Sequence, residues 1–210
     1  MITEMTDIFT IPASEETLQH VVAKLHERNI EAVIVDSGED ARKLVLERLP
    51  KGAEVHSGKS KTLQEAGIFD LLQDPDEYDF LRARYMKMDR KTQAREIRKM
   101  ISSPDFMLGS VNAVTEDGIL VAVSATGSQL GPYASAAGKI ILVVGSQKVV
   151  PDLETALRRM RDYVLPWEDA QALRGQVVPA GSFVGKILII EREWVAGRME
   201  VILVRKPIGI

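Results

Sequence analysis

Residues 139–144, Lys139-Ile140-Ile141-Leu142-Val143-Val144, form a nearly continuous run of β-branched and leucine side chains. A strand with one face in water alternates apolar and polar residues, whereas a strand covered on both faces of a parallel sheet does not. The run ends in a polar turn at Gly145–Lys148, and apolar residues then recur with helical spacing over 152–164 until Pro166. The stretch therefore predicts a buried strand, a turn and a helix that ends at Pro166.

The same alternation occurs twice upstream. Apolar residues recur with helical spacing in Leu18–Leu25, and the short apolar run Ala32–Val35 follows. The same order is repeated by Ala41–Leu49 with helical spacing and the short run Ala53–His56. A further helix is expected over Thr62–Leu72, interrupted near Gly67. Strands that alternate with helices predict a mostly parallel sheet covered on both sides.

The rest of the chain adds one basic segment and four apolar runs. Asp76–Ile101 predicts one long helix or two, while Asp105–Leu108 and Ile119–Val123 predict further strands. The last two runs, Lys186–Ile190 and Met199–Val204, are separated by a short polar and glycine-containing loop typical of a hairpin. The fold class predicted is α/β, a doubly wound mostly parallel sheet with a C-terminal antiparallel hairpin.

Composition limits the classes of protein to which the chain can belong. With 210 residues, 45% hydrophobic and 27% charged, we expect a single globular domain over residues 1–210. A net charge of −3 favours binding to neither nucleic acid nor an anionic membrane surface. No apolar run approaches the roughly 18 residues of a membrane span, and residues 1–10 carry Glu4 and Asp7 rather than a basic leader. We expect a cytoplasmic protein.

The chain contains no cysteine. This excludes disulfides, thiolate catalysis and cysteine-ligated zinc or iron–sulfur clusters within the sequence. His20 and His26 are six residues apart on a predicted helix and so face different directions, and His56 stands alone. We therefore expect no metal site and no cofactor.

Ligands of open α/β sheets bind at the carboxyl ends of the strands, so the turns that follow the predicted strands are the candidate site. These turns are rich in glycine and in small polar side chains, which leave space and supply hydrogen bonds. The expected ligand-binding residues are Ser57, Lys59, Ser60, Thr62, Ser110, Asn112, Thr126, Gly127, Ser128, Gln129, Gly145 and Lys148. Because Lys59 and Lys148 carry positive charge, we expect them to attract an anionic ligand.

Each of these turns also has a plain structural interpretation. The Ser57-Gly58-Lys59-Ser60 turn lacks the glycine spacing of a nucleotide-binding loop, which leaves a small anion site or an ordinary helix cap. In the string 111–118, Val-Asn-Ala-Val-Thr-Glu-Asp-Gly, the final Asp117-Gly118 pair is also a strong turn signal. Asn112 and Glu116 can serve a ligand or the turn itself.

Several strings resemble the signature of the lactate-utilisation (LUD) domain family. They are 105–121, Asp-Phe-Met-Leu-Gly-Ser-Val-Asn-Ala-Val-Thr-Glu-Asp-Gly-Ile-Leu-Val, the Thr126–Gln129 turn, residues 140–150 and the upstream 60–67, Ser-Lys-Thr-Leu-Gln-Glu-Ala-Gly. The matches run in order from about Ser57 to the end of the chain.

The resemblance implies a fold like that of ribose-phosphate isomerases, glucosamine-phosphate deaminases and CoA transferases. It also implies a role in oxidation of lactate to pyruvate, with iron–sulfur redox proteins as partners. Many similar proteins carry a cysteine-rich segment at this point of the chain. Here the segment over 171–185 has no cysteine, so any role of that segment in binding a metal or an iron–sulfur cluster is lost. Relatives often have Asn-Arg where this chain has Ser128-Gln129, which alters any inherited ligand contacts.

Three functions remain open at this point. The first is an accessory or enzymatic subunit of organic-acid metabolism that binds a small anionic metabolite. The second is an isomerase or transferase acting on a phosphorylated sugar or CoA ester, with Glu65, Glu116 or Asp117 as the catalytic acid or base. The third is a non-catalytic partner of a redox protein, docked through the basic helix over Arg82–Lys99. We further expect a homo-oligomer.

Overall fold

The computed structural model describes residues 8–172 and 182–210. The helices are α1 (Glu15–Glu27), α2 (Gly38–Arg48), α3 (Lys61–Glu65), α4 (Ile68–Leu71), α5 (Leu81–Tyr85), α6 (Ala94–Ser102), α7 (Leu153–Arg159) and α8 (Leu165–Ala172). The strands are β1 (Glu31–Val35), β2 (Glu54–Ser57), β3 (Asp79–Phe80), β4 (Phe106–Gly109), β5 (Ala113–Thr115), β6 (Leu120–Ser124), β7 (Lys139–Gly145), β8 (Val149–Val150), β9 (Lys186–Ile190) and β10 (Met199–Val204). Single 3₁₀ or π turns occupy Ile8–Thr10, Pro132–Ala136, Ser146–Lys148 and Met160–Val164.

The larger sheet is parallel and is covered on both faces. Its strand order is β1-β10-β7-β4-β2-β3, and every neighbouring pair is parallel. Along β7, Ile140, Leu142 and Val144 join the core under α1, while Ile141 and Val143 join the core under α2 and α3. This alternation of two apolar faces explains the unbroken apolar run, and the doubly wound α/β prediction is confirmed.

Helix starts follow the capping residues of the sequence. Ser14 caps α1 by accepting a hydrogen bond from the Thr17 N–H at 3.1 Å. Ser37 caps α2 by accepting from the Asp40 N–H at 3.2 Å, and its hydroxyl donates to Asp40 Oδ2 at 2.6 Å. Side-chain caps of this kind satisfy N–H groups that the first helical turn leaves without acceptors.

A smaller mixed sheet, β8-β5-β6-β9, corrects the predicted C-terminal hairpin. β9 pairs antiparallel with β6, whereas β10 lies between β1 and β7 in the larger sheet, parallel to both. All of β10 is buried, while β9 has exposed positions at an edge. The apolar residues Met199 and Val201–Val204 of β10 are buried between two neighbouring strands, and Glu200 within it is paired with Arg48, so β10 lies in the larger sheet and not beside β9.

One other sequence prediction needs correction. The helix before Pro166 does not end there, because a π turn over Met160–Val164 leads directly into α8, with Pro166 as its second residue. Proline lacks an N–H, and a change of hydrogen-bond register just before it accommodates that loss. Of the two alternatives for Asp76–Ile101, one long helix or two, the structure has two helices, α5 and α6, and the short strand β3 precedes them.

None of the helices in the described ranges is long and apolar enough to cross a membrane. Of the cysteine-free segment over 171–185, residues 173–181 lie outside the described residues.

Candidate functional site

A cavity of about 250 Å³ lies at the carboxyl ends of β2, β4 and β6. Residues from the turns after β2, β4, β6 and β7 line it, and so do residues of α8 and of the segment before β9. Its lining residues are Gly58, Lys59, Ser60, Lys61, Thr62, Gly109, Ser110, Val111, Asn112, Val123, Ser124, Ala125, Gln129, Tyr133, Lys148, Met160, Val164, Leu165, Glu168, Ser182, Phe183, Val184 and Ile210. Parallel strands that end at one edge bring these distant turns together.

Lys148 is the buried cation of the cavity, with 3% of its surface exposed. Its Nζ donates to Thr62 Oγ1 at 2.8 Å, to Ser110 Oγ at 3.0 Å and to the Val111 carbonyl at 3.4 Å. Within the described residues, no carboxylate forms an ion pair with Lys148. A buried ammonium without a carboxylate is costly, because hydroxyl and carbonyl dipoles compensate a full charge only in part.

The surroundings of Lys148 lower its pKa and so favour the neutral amine. Burial and, to a smaller extent, the charge of Arg159 together lower the pKa of Lys148 to about 7, against the opposing effect of Glu65. The amine is therefore partly neutral and partly charged near neutral pH, which is the condition for exchanging a proton or for pairing with an anion.

The turn that carries Lys148 is fixed by the C-terminal segment. Ser146 donates to the Arg205 carbonyl at 2.6 Å, and Gln147 exchanges hydrogen bonds with the backbone of Ile208 at 3.0 and 3.2 Å. These contacts hold the 3₁₀ turn after β7 against the end of the chain. The Lys148 side chain is thereby directed toward α3 and the turn after β4.

Asn112 serves the fold and the cavity together. Its Oδ1 accepts from the Val123 N–H at 2.8 Å, its N–H donates to the Val121 carbonyl at 2.9 Å, and its carbonyl accepts from Arg159 Nη1 at 2.6 Å. These bonds lock the start of β5 beside β6. Asn112 also lines the cavity, and in the described part of the chain its side-chain amide has a hydrogen bond only through Oδ1.

The backbone at Gly109 lies directly against the Tyr133 side chain. A Cβ at this position would overlap the Tyr133 hydroxyl, and that hydroxyl donates to the Ser110 carbonyl at 3.4 Å. Tyr133 is buried and also lines the cavity. Glycine at the end of β4 is therefore required by packing rather than by backbone conformation.

We expect Gly109→Ala to lower the free energy of unfolding by about 1 to 3 kcal/mol, the usual cost of overpacking a core. Chemical denaturation measures it. Gly131→Ala is the matched control, because a Cβ there meets nothing within 4 Å and glycine at φ −60° is already helical. Adding Tyr133→Phe to the first variant should recover part of the loss, and a fully stable Gly109→Ala would contradict the assignment.

Of the residues expected to be catalytic, the structure places only Glu65 next to the cavity. Glu65 forms an ion pair with Lys61 at 3.1 Å and accepts from the Gly209 N–H at 2.6 Å, although it does not line the cavity itself. Glu116 and Asp117 lie in the turn between β5 and β6 and do not line the cavity. The Asp117 carbonyl accepts from Arg28 Nε at 2.6 Å. The catalytic assignment of these three residues stays a prediction.

Some of the expected ligand-binding residues line the cavity and others do not. The cavity wall includes Lys59, Ser60, Thr62, Ser110, Asn112, Gln129 and Lys148, but not Ser57, Thr126, Gly127, Ser128 or Gly145. Ser57 is fully buried and donates to the Gly58 carbonyl at 2.9 Å. Gly145 packs so closely on the Ile208 backbone that a Cβ would not fit. Ser124 and Ala125, rather than the tip of their loop, reach the cavity.

The family model for the LUD domain matches residues 18–204, a range that contains every residue lining the cavity except Ile210. The chain belongs to the LUD domain family. This family is associated with lactate utilisation. Among solved structures, the chain is similar to a DUF162 family protein from Deinococcus radiodurans, with 13% identity, a TM-score of 0.54, and coverage of 92% of this chain and 99% of that one. At this identity the likeness shows the fold alone. No match was found among curated proteins.

Arg159 is the residue of this LUD domain that sequence reasoning missed most clearly. It is fully buried, its Nη1 donates to the Asn112 carbonyl, and its Nε and Nη2 have no hydrogen-bond partner among the residues that the structure describes. The guanidinium lies 5.2 Å from the Tyr163 ring centroid and 6.0 Å from that of Phe9, which supplies cation–π stabilisation. Its position on a helix predicted from apolar spacing gave no signal of burial, because Arg is rarely buried without a partner.

The apolar wall of the cavity was also missed. Met160, Val164 and Leu165 come from the π turn and α8, and Phe183 comes from the segment before β9. These residues do not follow the strands whose ends form the site, and their position depends on α7, which precedes them and packs against β5 and β8.

Within residues 8–172 and 182–210, no group of three His, Cys, Asp or Glu side chains is placed to hold a metal ion. We expect elemental analysis of protein purified without added metal to show no stoichiometric metal. Stoichiometric iron or zinc would contradict this expectation.

Proposed function

We propose that this LUD-domain protein acts in organic-acid metabolism by binding the anion of a short-chain organic acid in the cavity around Lys148. The observation that supports the proposal is the buried Lys148 amine, surrounded by hydroxyl groups and without a carboxylate partner in the described residues. A bound carboxylate would supply the missing charge, and charge-assisted hydrogen bonds are worth about 1.5 to 3 kcal/mol.

The size and lining of the cavity favour a small monocarboxylate. Its volume of about 250 Å³ lies below the roughly 300–1,000 Å³ typical of pockets for drug-sized ligands. Lys59 adds positive charge to the wall, while the charge of Lys61 is paired with Glu65. The partly buried Glu168 disfavours a second carboxylate on its side. Asn112 Nδ2 offers a donor for a hydroxyl or carbonyl oxygen next to the carboxylate.

A thermal-shift screen with lactate, pyruvate, ribose 5-phosphate and CoA tests the proposal. The short acids are expected to raise the melting temperature, since a ligand at 100 times its Kd stabilises the folded state by about 2.7 kcal/mol. Lys148→Met should weaken their binding about tenfold or more, because it removes the charge and keeps the length of the side chain. Lys99→Met, at an exposed position of α6, should respond like the wild type.

The screen also separates the competing functions. A shift with ribose 5-phosphate or CoA alone would favour an isomerase or transferase of phosphorylated sugars or CoA esters. A shift with a short acid that persists unchanged in Lys148→Met would remove Lys148 from the binding site and contradict the proposal.

A further inference from the structure

Ser110, Thr62 and Lys148 form a connected cluster of hydroxyl and amine groups within the cavity. Lys148 Nζ lies 3.0 Å from Ser110 Oγ and 2.8 Å from Thr62 Oγ1, and the two hydroxyl oxygens are 3.3 Å apart. Ser110 directly follows β4, lines the cavity and is only partly buried, so its Oγ can reach a ligand. A hydroxyl in contact with a buried amine that is itself fixed by a third group has the geometry of an activated nucleophile.

We propose that Ser110 is an acyl-accepting nucleophile, that Lys148 is its general base, and that the cavity hydrolyses esters or thioesters of short-chain acids. Thr62 is a positioning residue in this arrangement, since its hydroxyl holds the amine beside Ser110. This proposal rests on the proposed function in one respect, since it uses the same cavity. The short-chain acid that binds there is then the product of the hydrolysis.

The reaction balances with water as the only other reactant. Neutral Lys148 takes the proton of Ser110 Oγ, the oxygen bonds to the acyl carbon, and the bond from that carbon to the leaving alkoxide or thiolate breaks. The Lys148 ammonium returns its proton to the leaving group. Water then attacks the acyl carbon, its proton passing through Lys148 to Ser110, which releases the carboxylic acid and restores the hydroxyl.

The surroundings of the cluster support this role. The charged groups that act on Lys148 are Arg159, behind Asn112, and Glu65 on α3, and the wall adds Lys59, Lys61 and Glu168. With a pKa of about 7, Lys148 has a substantial neutral fraction at neutral pH, as a general base needs. Asn112 Nδ2, at the same wall, is a donor suited to an acyl oxygen that becomes negative.

The two uses of Lys148 predict opposite dependence on pH. Binding of an acid anion needs the ammonium and therefore weakens as pH rises through about 7, whereas attack by Ser110 needs the neutral amine and therefore speeds up over the same range. Failure of one function can thus be distinguished from failure of the other in the wild-type protein, without any substitution.

The test uses p-nitrophenyl acetate and a fluorophosphonate as acyl- and phosphonyl-type probes of the full chain. Intact mass spectrometry and peptide mapping should find a single adduct on Ser110, and the rate of p-nitrophenol release should rise as pH increases through about 7. Ser110→Ala and Lys148→Met should lower that rate by at least about 100-fold, the smaller end of general-base effects. Ser135→Ala, at an exposed serine outside the cavity, should keep the wild-type rate.

Thr62 is tested by its effect on the pH profile. Thr62→Val should displace the midpoint of the rate profile from the wild-type value, because it removes one hydrogen bond to the amine, and Thr62→Ser should restore it. An adduct on Lys148 or elsewhere, a wild-type rate equal to that of Ser110→Ala, or a pH profile without a midpoint between about 6 and 8 would overturn the proposal. Thermal shifts with short acids that persist in any of these cases would leave the anion site intact while excluding the nucleophile.

Discussion

The affinity of the protein for a short-chain organic acid is expected to fall about tenfold for each pH unit above about 7. Burial and the Arg159 charge place the pKa of Lys148 at about 7 in the free protein, and a bound carboxylate raises it by favouring the ammonium. Between these two pKa values, binding requires uptake of one proton, so the observed Kd rises tenfold per pH unit. Below pH 7 the affinity levels off, until the acid itself is protonated near pH 4.

Titration calorimetry between pH 5.5 and 9, in buffers of different ionisation enthalpy, measures both the Kd and the proton uptake. Lys148→Met should bind weakly and without this pH dependence, and Lys99→Met should reproduce the wild-type profile. A flat profile in the wild type, or the same slope in Lys148→Met, would show that another group provides the charge.

Acid is expected to destabilise the protein by about 3 kcal/mol through His56 alone. The imidazole is 1% exposed, and neither of its ring nitrogens has a hydrogen-bond partner within residues 8–172 and 182–210. Its ring lies against that of Tyr85, with 5.8 Å between the ring centroids. Burial lowers the pKa of His56 to about 4 from an ordinary value of 6.5, with a further contribution from the Arg82 charge. Each unit of difference corresponds to about 1.4 kcal/mol.

The direction follows from proton binding in the two states. Between pH 6.5 and about 4 the unfolded chain takes up a proton on His56 and the folded chain does not, so the free energy of unfolding falls as pH falls. Denaturant titrations of the wild type and of His56→Phe at pH 4 to 7 measure this contribution as their difference. His20→Gln, at an exposed histidine, serves as the control. A difference that stays constant over this range would contradict the assignment.

The large sheet was predictable because the residue pattern of its strands indicates which of their faces are buried. The β7 run 140–144 shows apolar residues on both faces, and Ser37 with Asp40 marks the start of α2. The hairpin prediction failed because the sequence of β10 shows that it is buried but not which strands it pairs with. Proximity along the chain suggested β9, whereas burial placed β10 between β1 and β7.

The part of the candidate site that lies in the turns after the strands was predictable from the sequence. Lys148, Thr62 and Ser110 each follow a strand of the large sheet, so the rule for open α/β sheets brought them together. Arg159 and Phe183 lie on elements whose position depends on tertiary packing rather than on local pattern. Their presence beside the site needed the structure.

The most informative measurement is a crystal structure of the protein soaked with the short-chain acid that gives the largest thermal shift. We expect electron density for one acid molecule in the cavity, with a carboxylate oxygen within hydrogen-bond distance of Lys148 Nζ in place of its long contact to the Val111 carbonyl. An acid molecule bound elsewhere, or a cavity in which Lys148 keeps its three present partners and meets no carboxylate, would contradict the proposed binding site.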